Sequence, residues 1–290
     1  MVKVLECFSE SKKGDSSGGE DRLVLGPRYF GVVDGATDKS GLNWGTVESP
    51  KTGGGALADI IVGALSNLFD ADFQNSLLTI NSDIRSLAEL KGIDLGEVNN
   101  RPSATLAVYD SKQHKVYSFP DCGFAFVLPD CRFEVHYQDK LVDRFTSGLR
   151  SEKIAEIYSN GRDPFVGDRD MGREFILSAL ERQGELQNLQ GAMAKGVEWE
   201  FGTWVDDLAY WTIDGFKTCE SVTNVSSEVE QIVFASDGFK IIRPDLEETL
   251  ALHNLMMVAD PMCTGLLKST KGIVPGNKHY DDVSYLRIGF

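Results

Sequence analysis

Asp34, Asp237 and Asp281 stand in a common setting that suits chemistry. Tyr29-Phe-Gly-Val-Val-Asp-Gly-Ala-Thr37 is an apolar run that stops at Asp34-Gly35. Gln231-Ile-Val-Phe-Ala-Ser236 runs into Asp237-Gly238, and Asp281-Asp282 immediately precedes the strand-like Val283–Ile288. A Glu20-Asp21 pair lies upstream. Buried strands that each present a carboxylate at one end build a cage of oxygen ligands, the donors that hard divalent cations prefer. A single Asp-Gly is ordinary turn chemistry. Asp214-Gly215, between Ala209–Ile213 and Phe216–Cys219, reads as such a hairpin turn. Taken together, the three strand-end acids and the upstream pair favour the metal reading.

Positioning these acids requires strands and helices, and the patterning supplies both. Val2–Phe8, Leu23–Leu25 and the run into Asp34 have strand character, with a polar loop at Ser9–Gly19. Thr37–Thr52 is polar and irregular, with Trp44 its only bulky residue. Thr52 is placed to cap a helix entered through Gly53-Gly54-Gly55 and running over Ala56–Phe69. Those glycines lack the Gly-Lys-Ser/Thr ending of a nucleotide-binding loop. A second helix spans Leu77–Leu90 and ends at Gly92. After Arg101-Pro102 come strands at Ala104–Tyr109, Lys115–Phe119, Phe124–Leu128 and Arg132–Tyr137, with Asp110–His114 as a hairpin loop. Asp139–Gly184 is irregular, with helices around Ser151–Tyr158 and Arg173–Arg182. Strands are expected over Trp199–Ile213 and Phe216–Val222, and helices over Asp245–Val258 and Met262–Thr270. This order predicts an α+β domain, a β-sandwich flanked by helices. We read residues 1–290 as a single domain with an inserted loop at 37–52 and a helical excursion at about 139–198.

Composition narrows the classes. A chain of 290 residues, 42% hydrophobic and 10% aromatic, has globular values and no segment apolar for long enough to span a membrane. Met1–Lys13 has no apolar signal-peptide core, so a soluble cytoplasmic protein with no membrane partner is expected. Cys7, Cys122, Cys131, Cys219 and Cys263 are odd in number, scattered and without Cys-x-x-Cys, which argues against a disulfide framework or structural zinc. A net charge of −15 argues against nucleic-acid binding. None of His114, His136, His253 and His279 has metal-ligand spacing to another. His114 reads as a loop residue and His253 as a helix residue. His279 lies two residues before Asp281, though surface histidines are common. Trp199, Trp204 and Trp211 read as strand core.

The motifs in order resemble the metal-dependent serine/threonine protein phosphatases of the 2C type, the PPM family, in a divergent, bacterial-like form. Glu20-Asp21 matches that family's early Glu-Asp, and Phe30-Gly-Val-Val-Asp34-Gly35 its metal-bridging strand end. Ser103-Ala-Thr-Leu-Ala107 is similar to its small-residue strand entry, and Val116–Ala125 to its Val-Gly-Asp-Ser-Arg segment. Phe234-Ala-Ser-Asp237-Gly238-Phe239 resembles Ala-Ser-Asp-Gly-Leu, and Asp281-Asp282-Val-Ser284 stands where the family has Asp-Asn-Ile-Thr. The resemblance implies two antiparallel sheets between helices, in α-β-β-α layers, with a two-metal centre at one edge. It implies that Asp34 bridges two Mg2+ or Mn2+ ions, that Asp237 and Asp281 hold one, and that the Gly35 carbonyl holds the other. Glu20 and Asp21 complete the acidic shell, largely through water. Two such ions lower the pKa of a bridging water, and the hydroxide attacks phosphorus in line without a protein nucleophile.

The departures define the alternatives. Ala36 stands where many members have a histidine, and Ser16 where many have a phosphate-binding arginine; Lys12, Lys13 or Arg22 could replace that charge. Thr37–Thr52 is inserted where it could shape the substrate. Ile241 replaces a further acid, so a third ion is not implied, although Asp139 could supply its other ligand. The expected function is a Mg2+/Mn2+-dependent phosphomonoester hydrolase acting on phosphoserine or phosphothreonine in proteins. The alternatives are a phosphatase of a small phosphorylated metabolite and a catalytically weak phosphatase-fold binding module.

Overall fold

The computed structural model of the chain describes residues 1–16, 19–36, 40–67, 70–189 and 198–290. Among these, one five-stranded antiparallel sheet has the order β1 (Lys3–Glu10), β12 (Val283–Gly289), β11 (Gln231–Ala235), β6 (Gly123–Val127) and β7 (Phe133–His136). The second has the order β10 (Ser221–Asn224), β5 (Lys115–Ser118), β4 (Ser103–Asp110), β3 (Tyr29–Ala36) and β2 (Arg22–Leu25). Period-two alternation assigns every strand residue to a face. Val32, Ala107 and Tyr109 meet Phe124, Ile232, Phe234 and Leu286 between the sheets. Residues of opposite parity, Val33, Leu106 and Val108, pack under α1 (Gly53–Asn67) and α2 (Phe73–Lys91) through Leu57, Ile61, Ile80 and Ile84. On the far side, Val233, Ala235 and Tyr285 receive Leu246 and Leu250 of α7 (Leu246–Ala259). Each fully buried large apolar side chain here stabilises the fold by roughly 1.5–3 kcal/mol. The layers are helices, sheet, sheet, helix, as the sequence predicts.

Helix ends follow local chemistry. Thr52 Oγ1 accepts from Gly55 N at 3.2 Å, so the helix begins within the glycines rather than after them. Asp72 caps α2, which stops at Gly92 with φ 68°. Asp245 caps α7. No helix among the described residues is long and apolar enough to cross a membrane.

The stretches around the excursion differ from the sequence reading. A helix begins well before Ser151, as α3 (Leu141–Ser159). A short hairpin, β8 (Phe165–Val166) and β9 (Arg169–Asp170), follows, and Arg173–Arg182 divides between α4 (Met171–Phe175) and α5 (Leu177–Glu181). Residues 190–197 of the excursion lie outside the described residues. Met262–Thr270 is not a helix, because its backbone groups have other partners. Arg150 Nη1 donates to the carbonyls of Met262 (2.9 Å) and Ser269 (3.1 Å). The Asp260 carboxylate accepts from Thr264, Gly265 and Leu267 N–H. Trp199–Ile213 is not a strand either: it holds isolated bridges, a 3-10 turn at Glu200–Gly202 and the short α6 (Val205–Leu208). Its apolar residues serve a satellite core in which Trp199, Val205, Leu208 and Tyr210 surround Val142. Trp204 is 47% exposed, and Trp211 packs against the main core. Of Phe216–Val222, the end alone pairs, in β10. The insertion expected at 37–52 is described from Ser40 onward and buries Trp44 in the core beneath α1 and α2.

Asp214-Gly215 turns the chain, with Gly215 at φ 91°, but its flanks do not pair as a hairpin; Ile213 instead bridges Ala104. Asp214 is fully buried, its Oδ1 accepting from Phe216 N at 3.0 Å and its Oδ2 meeting no donor. Burial pushes its carboxyl up from 3.8 to about 6, against the Phe216 hydrogen bond. The protonated form's contribution to stability is therefore complete below pH 4 and is lost as pH rises through about 6, a difference of roughly 3 kcal/mol. Asp214→Asn should gain thermal stability over wild type progressively from pH 4 to pH 7. A melting-temperature difference independent of pH would contradict this placement.

Candidate active site

Asp34 lies two residues beyond Val32 on the same strand face, so β3 aims it toward the side that faces the other sheet. Asp237 follows β11, and Asp281-Asp282 precedes β12; antiparallel pairing of these strands brings the two acidic segments together. Ser236 N donates to Ser284 O at 3.1 Å, and Tyr280 Oη donates to Asp237 O at 2.6 Å. The two aspartates at 281 and 282 divide the work. Asp281 faces the cavity, while the Asp282 carboxylate accepts from Lys12 N (2.8 Å) and Glu20 N (2.6 Å), which fixes the segment carrying Glu20. The glycines after Asp34 and Asp237 permit close approach rather than a left-handed turn. A Cβ on Gly238 would lie 2.0 Å from Asp282 O, and one on Gly35 would lie 2.7 Å from Gly54 O.

Glu20, Asp34, Gly35, Asp237 and Asp281 line one cavity of about 150 Å3. Asp21 stands behind it, 6% exposed, with its Oδ2 buried and meeting no hydrogen-bond donor. None of Lys12, Lys13 and Arg22 lines the cavity; Arg22 is held by Asp59 at 2.7 Å and by the Gly19 carbonyl. His279 is turned away, bonded to His253 and to Glu10 at 2.8 Å each. Asp139 lies beyond this cavity, 4.0 Å from Lys240, and Ile241 is 38% exposed.

Sequence reasoning missed the cations. Lys140, Arg101, Arg173 and Lys271 line the same cavity, together with Asp121 and Asp143. Lys140 Nζ lies 2.5 Å from Asp121, Lys271 Nζ 2.6 Å from Asp281, and Lys240 Nζ 3.5 Å from Asp237. These residues come from loops and the excursion, where no periodicity marks them. Asp121 alone had a signal, in the Val116–Ala125 segment.

Burial first, then the charge of neighbouring acids, raises three carboxyls. Asp21 is pushed well up by burial and Asp282, and Asp34 by burial, Asp21 and Asp237. Asp237 rises through burial despite Lys240, with Asp281 adding to the rise. Burial also pushes Asp281 up, but Lys271 outweighs it and holds the group below the usual carboxylate range. Asp121 is likewise held low by Lys140 and Lys240 against burial. Asp143 is pushed up to about 7 by burial and by Asp121.

Three features fit a hard divalent cation: a donor set made entirely of oxygen, an orphaned buried carboxylate oxygen on Asp21, and acids whose mutual repulsion a dication would relieve. Among the described residues, no three His, Cys, Asp or Glu side chains are arranged to hold one ion. Lys271 and Lys240 are the local counterions of Asp281 and Asp237.

No protein-family model and no curated protein matches the chain. Among solved structures, a variant of a bacterial serine phosphatase aligns over 100% of this chain and 98% of its own, with TM-score 0.50 and 9% identity. The fold is that of the phosphatase 2C type. The Mycobacterium tuberculosis serine/threonine phosphatase PstP/Ppp aligns over 99% of both chains at 13% identity and TM-score 0.47. The Staphylococcus aureus serine/threonine phosphatase Stp1 aligns over 100% of this chain and 95% of its own, at 9% identity and TM-score 0.49. At such identities the phosphatase likeness is one of fold.

Close approach at Gly238 makes a prediction that needs no ligand. Gly238→Ala should destabilise the protein by roughly 1–3 kcal/mol, because backbone must move. Gly63→Ala in α1, where a Cβ meets nothing within 4 Å, should stabilise it by roughly 0.5–1 kcal/mol. Denaturant unfolding checks both, and equal effects would contradict the close-approach reading.

Proposed function

We propose that the chain is a Mg2+/Mn2+-dependent phosphomonoester hydrolase acting on phosphoserine or phosphothreonine in proteins. One observation carries the reading: acids from four separate segments, Glu20, Asp34, Asp237 and Asp281, line a single cavity of a phosphatase 2C fold. Asp34, Asp237 and Asp281, with the Gly35 carbonyl, would hold the ions, and Glu20 and Asp21 would add negative charge around them. When bound, two divalent ions supply Lewis acidity that activates water and neutralises phosphate oxygens. The chain's own contribution is placement. Asp282 fixes the Glu20 segment, and Thr52 Oγ1 donates to the Glu20 carboxylate, tying the start of α1 to the acidic shell. Lys140 holds Asp121 and lines the cavity, adding positive potential beside the place a phosphate would enter.

A second reading, a catalytically weak binding module, is favoured by Lys271 and Lys240, which already neutralise two of the acids. The readings separate on metal dependence. Hydrolysis of p-nitrophenyl phosphate should require Mn2+ or Mg2+, cease in excess chelator, and fall at least about 100-fold in Asp34→Ala and Asp237→Ala. Wild-type rates in either variant would overturn the assignment. Lys271→Ala should tighten Mn2+ binding, measured by calorimetry, because Asp281 loses its competing cation. Unchanged or weaker binding would show that Lys271 does not compete for that carboxylate.

A further inference from the structure

Arg173 reaches the cavity from the excursion rather than from the strand framework that supplies the acids. Its Nη1 donates to Thr270 O at 3.1 Å, while its Nε and Nη2 make no hydrogen bond among the described residues. The guanidinium is thus half used, and it faces a site rich in carboxylates without lying in an ion pair with any of them. Burial holds it below its ordinary value, outweighing the attraction of Asp281 and Asp170. An added anion would relieve that deficit.

A buried network fixes where this arginine stands. Asp170 Oδ1 accepts from Arg173 N at 2.9 Å. Its Oδ2 accepts from Arg150 Nε (2.9 Å), Arg150 Nη2 (2.6 Å) and Gly272 N (3.1 Å). Arg150 is wholly buried and also donates to the carbonyls of Met262, Cys263 and Ser269. One carboxylate therefore anchors the backbone of Arg173 on one side and, through Gly272, the segment of Thr270 and Lys271 on the other. Arg101, the other arginine lining the cavity, is engaged elsewhere: its Nε donates to Leu95 O at 2.9 Å and its guanidinium lies 4.5 Å from the Phe216 ring centroid.

We propose that Arg173 is the phosphate-binding arginine of this site, its free Nε and Nη2 donating to two oxygens of a phosphate monoester. The planar fork suits that bidentate contact, which a lysine cannot reproduce. The proposal rests on the phosphatase reading for its substrate, but its test does not depend on turnover. Binding of inorganic phosphate to the Mn2+-loaded protein is measured by calorimetry for wild type, Arg173→Ala and Arg173→Lys. Mn2+ affinity and melting temperature serve as controls. Phosphate affinity should fall at least about tenfold in Arg173→Ala, with partial loss in Arg173→Lys and both controls unchanged. With p-nitrophenyl phosphate, the same loss should appear mainly in KM. Phosphate binding that depends on Arg173 without any turnover would support this role while overturning the hydrolase reading. Phosphate affinity unchanged in both variants, or no phosphate binding to wild type, would overturn the role of Arg173. So would a loss that merely follows a fall in Mn2+ affinity or melting temperature.

Discussion

Crowding of like charge at one end of the sandwich is the constraint on which the site depends. Asp21, Asp34, Asp237 and Asp281 are held close enough that burial and mutual repulsion raise three of the four. Isolated carboxylates so placed would cost several kcal/mol unless compensated. The strands cannot spread to relieve the strain, because β3, β11 and β12 are pinned by ladders on both sides and by the apolar layer between the sheets. Compensation comes instead from cations contributed by other parts of the chain. Lys140, Lys240 and Lys271 each sit against one acid of the cluster or its rim.

This division explains the architecture around the site. The two sheets supply acids at fixed positions, while the excursion, the loop after β11 and the irregular 260–272 segment supply cations. The Arg150–Asp170 pair joins the excursion to the 260–272 segment; it is fully buried and hydrogen-bonded to backbone on both sides. Removing either partner would leave an uncompensated buried charge, a far larger cost than that of a surface ion pair.

The strand ends were legible in the sequence because period-two patterning and a terminal Asp are both local signals. Asp34, Asp237 and Asp281 needed only those, together with the order of motifs. Thr52, Gly92 and Asp245 were legible as helix ends because capping is also local chemistry. The cations were not, since Lys140, Arg173 and Lys271 acquire meaning only through contacts across the fold. Met262–Thr270 misled for the same reason: its carbonyls are taken by Arg150, more than 100 residues away in sequence. Trp199–Ile213 misled differently, its apolar pattern serving a satellite core instead of a ladder. The Asp-Gly pairs show the limit of motif reading. Gly215 is a turn glycine with positive φ, while Gly35 and Gly238 are glycines of close approach, and the dipeptide looks the same in all three.

If this cluster of acids is a divalent-metal centre, its lysine counterions must give way to the ions. Anomalous diffraction from crystals grown with Mn2+ is the decisive measurement. Manganese density is expected among Asp34, Asp237 and Asp281, with Lys271 displaced from Asp281. A cavity without manganese, with the Lys271–Asp281 contact intact at saturating Mn2+, would contradict the metal-centre reading.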